Sequence, residues 1–182
     1  MGHVAAVVSS DVVLAAIKGE ARALELLAKA YWPVAYRLAV TVLGRRGPDA
    51  EDAAQDATLA LTHGVARLAD PLRFNAWGAV IAIRSAQRVR RRQRECVELD
   101  QVRLESADGG QEEMLDMEVA LRSLSADLRI PLVLCVVFGY TSNEAGAILG
   151  VPDGTVRYRI SRARERLRIA LDGSPDAVHL EG

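Results

Sequence analysis

A chain of 182 residues has room for one large domain or two small ones. Half of it is apolar, aromatics are only 4%, and alanine and leucine recur throughout, which points to an all-α protein packed through small and branched side chains. Without an apolar run of about eighteen residues, and with Cys96 and Cys135 far apart and His3, His63 and His179 scattered, the sequence argues against a membrane span, a disulfide framework and a metal centre.

The net charge of −1 conceals a segregation. Residues 1–94 hold 14 Lys/Arg and 8 Asp/Glu, residues 95–118 hold 1 and 9, residues 119–171 hold 8 and 4, and the tail 172–182 holds 0 and 3. Two basic bodies flanking an acidic bridge suit two modules that touch a polyanion. The N-terminus MGHVAAVVSSDVV lacks the positive start and the long apolar core of a signal peptide, so a cytoplasmic location is expected.

Ser10-Asp11 opens a short helix that ends at Lys18-Gly19-Glu20. A longer helix follows, with Leu24, Leu27, Ala28 and Tyr31 on one face; Pro33 is expected to kink or restart it before VAYRLAVTVL runs on to Gly44. Gly47-Pro48 breaks the chain, and Asp49 is placed to cap a third helix bearing Glu51, Asp52 and Asp56 near its start. Compensation of the helix dipole accounts for Glu51 and Asp52, but it fades after the first turn and accounts less well for Asp56. A binding role for that acidic face stays open.

After the loop Ala69-Asp70-Pro71-Leu72, a fourth helix begins around Phe74 and Trp77 and ends in the densest charge run of the chain. Arg84, Arg88, Arg90, Arg91, Arg92 and Arg94 follow one another with no acid before Glu95, a pattern that fits phosphate contact. Trp77 is read as core, with stacking on unpaired bases as the rival reading. Residues 95–118, acidic and containing Gly109-Gly110, read as a flexible linker with transient helix near either end.

A helix beginning after Ser125 resumes the fold. Pro131 is expected near its first turn, with Leu128, Leu132, Cys135 and Val136 as the packing face. Thr141 with Glu144 forms a capping box; Ala145, Ile148 and Leu149 share a face, and Gly150 supplies a left-handed stop. After the connection Val151-Pro152-Asp153-Gly154, a last helix from about Thr155 buries Val156, Ile160, Ala163, Leu167 and Ala170. Its other faces carry Arg157, Arg159, Arg162, Arg164, Arg166 and Arg168 against Glu165 alone. Helix, tight glycine turn and basic second helix make a helix-turn-helix. The tail from 172 reads as loose.

These residues resemble the extracytoplasmic-function (ECF) group of bacterial RNA polymerase sigma factors, within the sigma-70 superfamily. DAEDAAQDATLAL is similar to that family's clamp-binding helix, FNAWGAVIAIRSAQRVRRR to the helix that engages the −10 element, and GYTSNEAGAILGVPDGTVRYRISRARERL to its −35-reading helix-turn-helix. The resemblance implies two helical domains, 10–94 and 119–171. It implies that Asp52, Gln55 and Asp56 meet the β′ clamp of core RNA polymerase, and that the flap of the β subunit is a further contact. It also implies −10 contacts from Arg84, Arg88, Arg91 and Arg92, and −35 contacts from Thr155, Arg157, Tyr158, Arg159, Arg162 and Arg164. Tyr158 stands where the family often has serine, and Ala145 and Gly146 are smaller than its usual isoleucine and alanine, so a less stable first helix is expected in the motif. The function implied is promoter-specific initiation, with no enzymatic activity and no cofactor. An anti-sigma factor is admitted as a partner, though no residue identifies one. The alternative is a free-standing helix-turn-helix regulator that never touches polymerase.

Overall fold

In the computed structural model the described residues are 8–99 and 116–172, all of whose regular elements are helical. The chain divides into two compact units, Met1–Gly109 and Gly110–Gly182. The expected linker lies largely outside the described residues, as does nearly all of the tail.

The first unit contains α1 (Ser10–Ile17), α2 (Ala21–Leu43), α3 (Pro48–Gly64) and α4 (Phe74–Leu99), with 3₁₀ turns at Val65–Arg67 and Pro71–Arg73. Helices α2, α3 and α4 pack against one another in all three pairings, and α1 lies on α2. Leucines and valines of α2 fill the centre, while α3 contributes Leu61 and a stripe of alanine: Ala50, Ala53, Ala54 and Ala57 are fully buried. Small side chains let the helices approach closely, and at one crossing nothing larger than hydrogen fits. A Cβ on Gly78 of α4 would lie 2.6 Å from the Tyr31 hydroxyl oxygen. Tyr31 in turn meets Phe74 edge-to-face at 5.7 Å. The buried hydroxyls of Thr41 and Thr58 donate to the carbonyls of Arg37 and Ala54, each at 2.8 Å, so neither is left unsatisfied.

Several local expectations change. Ser9, one residue earlier than read, caps α1 by accepting from the Val12 amide. Pro33 does not restart a helix, for α2 continues through it to the left-handed Gly44. Its ring sits on the exposed side, where water can satisfy the Lys29 carbonyl that loses its amide partner. Asp49 does not cap α3. Gly47 occupies the cap position with a φ of 122°, Pro48 starts the helix, and Asp49 in the first turn pairs with Arg45 instead. Helix α4 also runs beyond Arg94 to Leu99.

The second unit contains α5 (Asp116–Ser123), α6 (Ala126–Val136), α7 (Ser142–Leu149) and α8 (Asp153–Asp172). Leu124, Leu132 and Ala163 form a core against which Leu121, Leu128, Ile160 and Leu167 pack. Helix α8 touches α5, α6 and α7, so every other helix of the unit buttresses it. Here the reading of α6 is corrected: Pro131 lies in the middle of the helix, the continuous run from Arg129 to Leu134 is buried, Cys135 is half-buried and Val136 is 58% exposed. Burial on several sides at once leaves α6 no single packing face, so its period was not informative.

Candidate DNA- and polymerase-binding surfaces

In the first unit, Asp52, Gln55 and Asp56 are all exposed on α3, directly opposite the alanine stripe that buries it. Three- and four-residue spacings put them on one ridge. None of them holds the fold together by burial, which leaves their polar atoms available to a partner.

Arg84, Arg88 and Arg91 lie at four- and three-residue steps along α4, with Arg92 beside them, and all four are exposed. Trp77, seven residues before Arg84, lies at the foot of the same ridge. It is half-buried: a Cβ on Gly64 would come within 3.1 Å of its ring, and Phe74 lies 6.2 Å away centroid to centroid. The reading of Trp77 as core therefore describes one side of the indole only.

The helix-turn-helix is assembled by its caps. The Thr141 hydroxyl accepts from the Glu144 amide at 3.2 Å while a Glu144 carboxylate oxygen accepts from the Thr141 amide at 2.8 Å. Gly150 closes α7 with a φ of 70°, and the Val151 amide donates back to the Gly146 carbonyl at 3.0 Å. The turn is so tight that a Cβ on Gly146 would stand 2.7 Å from the Val151 carbonyl oxygen. Glycine at 146 is thus matched to the turn. Helix α8 starts at Asp153, two residues earlier than read, which leaves Gly150, Val151 and Pro152 as the connection and puts Asp153 and Gly154 in its first turn.

Val156 and Ala163 are fully buried beneath α8, Ile160 and Leu167 are partly buried, and Ala170 is exposed, because the helix there has outrun the body of the unit. The face opposite this stripe centres on Tyr158, 65% exposed, which rules out its packing beneath the helix. Arg157, Arg164 and Arg168 line one flank, bordering a groove with Ser161 and Glu165. Thr155, Arg159, Arg162 and Arg166 line the other, with Thr155 and Arg159 half-buried. Arg157 and Arg159, two residues apart, therefore do not face the same way. Glu165 accepts from Arg168 at 3.0 Å, and that hydrogen bond holds its carboxyl below the usual carboxylate range. Two rows of guanidinium groups astride a centre that holds Tyr158 and the Arg168-paired Glu165 fit the walls and floor of a DNA major groove.

The description "Sigma-70 region 2" matches residues 27–96, and "Sigma-70, region 4" matches residues 114–167. The ECF RNA polymerase sigma factor SigC of Mycobacterium tuberculosis is 30% identical over 173 residues, covering 90% of each chain. The chain belongs to the ECF sigma factors. SigE of Mycolicibacterium smegmatis is 35% identical over 144 residues, which cover 73% of this sigma factor and 55% of that one. Among solved structures, the Bartonella quintana sigma factor RpoE, in complex with the anti-sigma factor NepR, superposes with a TM-score of 0.66 at 30% identity, over 78% of this chain and 91% of that one. CnrH, in complex with the cytosolic domain of CnrY, gives 0.65 at 28% identity, over 91% and 97%. The sigma factor binds core RNA polymerase and promoter DNA, and the alternative of a free-standing regulator is not favoured, since the first unit matches region 2. Among the described residues no helix is long and apolar enough to cross a membrane, and no group of His, Cys, Asp and Glu could hold a metal ion.

Two features of this sigma factor escaped the sequence reading. Arg129 is buried with 7% exposure and donates through Nη1 to the carbonyls of Leu124 at 2.9 Å and Arg122 at 3.1 Å, closing the end of α5. Asp153 accepts from Arg157 Nη1 at 2.6 Å. The four-residue spacing of Asp153 and Arg157 was a signal for that pair; nothing local marks Arg129.

Proposed function

We propose that residues 10–94 anchor the sigma factor to the β′ clamp of core polymerase through Asp52, Gln55 and Asp56 and engage the −10 element through Arg84, Arg88, Arg91 and Arg92. Residues 119–171 read the −35 element through Thr155, Arg157, Tyr158, Arg159, Arg162 and Arg164, and lean on the β flap. The observation that carries this reading is that each unit turns a ridge with no core duty to solvent: acid-bearing on α3, arginine-rich on α4 and α8. Complementary charge steers association and fixes orientation, which suits both a protein clamp and a polyanionic duplex. The protein works in the bacterial cytoplasm and performs no chemistry of its own, nucleotidyl transfer belonging to the polymerase. The likeness to RpoE with NepR and to CnrH with CnrY supports an anti-sigma factor as a further partner.

The test is transcription in vitro with core polymerase and a promoter library. The double variant Asp52→Lys, Asp56→Lys is expected to keep its helical content and melting temperature yet lose copurification with core enzyme. Undiminished binding to core enzyme would remove α3 as the docking surface.

A further inference from the structure

We propose that Asp153 is a positioning residue for base recognition, which holds the Arg157 guanidinium at the N-terminal tip of α8 and keeps it from being captured by phosphate. The inference rests on the reading of Arg157 as a base contact and goes beyond it. Arg157 Nη1 donates to Asp153 Oδ2 at 2.6 Å, one turn back along the helix, so the side chain is folded toward the end of α8 that a recognition helix inserts deepest. Gly154 lies under that path. A Cβ there would be 3.9 Å from Arg157 Nη2, an ordinary contact, so the guanidinium lies beside the first turn of α8.

The chemistry follows from the count of donors. A guanidinium has five N–H groups in a rigid fork; with one engaged by Asp153, the remaining donors still include a pair able to reach two acceptors on one guanine edge. The carboxylate also neutralises Arg157 locally, so the pair as a whole has little attraction for the DNA backbone. An arginine so held contributes to choice between bases and little to non-specific grip. Among the other exposed arginines of α8, Arg168 has Glu165 as a carboxylate partner three residues before it, but that pair lies near the far end of the helix, away from the inserted tip.

Removing the carboxylate charge is therefore expected to have opposite effects on two quantities. With Asp153→Asn, the freed guanidinium gains phosphate contact, and binding of holoenzyme to promoters randomised at −35 becomes steeper in salt by about one ion. At the same time preference at a single base pair flattens by about tenfold. Asp153→Glu, which keeps the charge, is expected to restore most of that preference. In the Arg157→Ala background, Asp153→Asn should change base preference no further.

The readout is a ratio between promoter variants at fixed salt, which is insensitive to the fraction of folded protein. Were Asp153 important only for the α8 dipole, Asp153→Asn would weaken all promoters alike and leave the ratio unchanged, and that result overturns the proposal. If Arg157→Ala itself leaves every base preference intact, the reading of Arg157 falls, and the role of Asp153 with it. Flattening by Arg157→Ala without flattening by Asp153→Asn overturns the role of Asp153 alone.

Discussion

Burying a guanidinium costs several kcal/mol unless acceptors replace the lost water. Arg129 meets that condition by turning onto the carbonyls that α5 leaves unpaired at its C-terminal end, so one cation both satisfies and is satisfied. Arg129→Ala removes the donor and opens a void, and is expected to destabilise the second unit by about 3 kcal/mol, read as a lowered thermal midpoint. Tyr140 gives a titratable counterpart. Burial, reinforced by the Glu144 carboxylate, pushes its phenol from 10.0 up to about 12. The native state therefore keeps a proton that the unfolded chain gives up above pH 10. Stability from this group is whole below pH 10 and is lost as pH climbs through about 12. Denaturant midpoints measured across that window should fall for the parent and fall less for Tyr140→Phe.

At the scale of the element, α7 owes its position to its ends. It has only eight residues, too few to persist in water by propensity, so the capping box and the glycine turn define where it stands. Thr141→Ala is expected to cost about 1 kcal/mol through the lost cap. Gly146→Ala is a different failure: its methyl would meet the Val151 carbonyl at 2.7 Å, and backbone cannot swing aside as a side-chain tip can. We expect Gly146→Ala to cost about 1–3 kcal/mol and to lower −35-dependent transcription more than core-polymerase binding. A substitution that leaves both melting and transcription unchanged would show that the turn yields more easily than its geometry implies.

For the whole molecule, the two units have separate cores. Tyr31, Leu27, Leu38 and Leu61 anchor the first, and Leu124, Leu132 and Ala163 the second. Fragments spanning residues 8–99 and 116–172 are expected to fold alone, each with the far-ultraviolet circular dichroism of a helical protein. Each should also melt in its own transition. A first fragment that unfolds on separation would mean that its alanine-lined α3 needs the rest of the chain. On the proposed division of labour the separation has a functional sense, since a clamp-binding unit and a −35-reading unit would each answer to a surface of the polymerase or the promoter.

Local chemistry sufficed for much of this protein. Apolar spacing located the helices, the threonine–glutamate box and Gly150 located the helix-turn-helix, and the exposure of Asp52, Asp56, Arg84, Arg88, Arg91, Arg92, Arg157, Arg162 and Arg164 agrees with positions that the apolar period leaves off the packing face. What required the tertiary structure was whatever depends on a neighbour distant in sequence or on a rotamer. Period alone cannot tell that α6 is enclosed from several sides, so the burial of Arg129 and Pro131 and the exposure of Val136 were invisible until α5 and α8 took their places. Pro33 reads as a break because a lost amide bond is local, whereas the packing that carries α2 through it is not. Asp49 and Asp153 had the right charge for helix starts, but only the folded backbone decided that each would hold an arginine, because a carboxylate goes to the donor that geometry brings nearest.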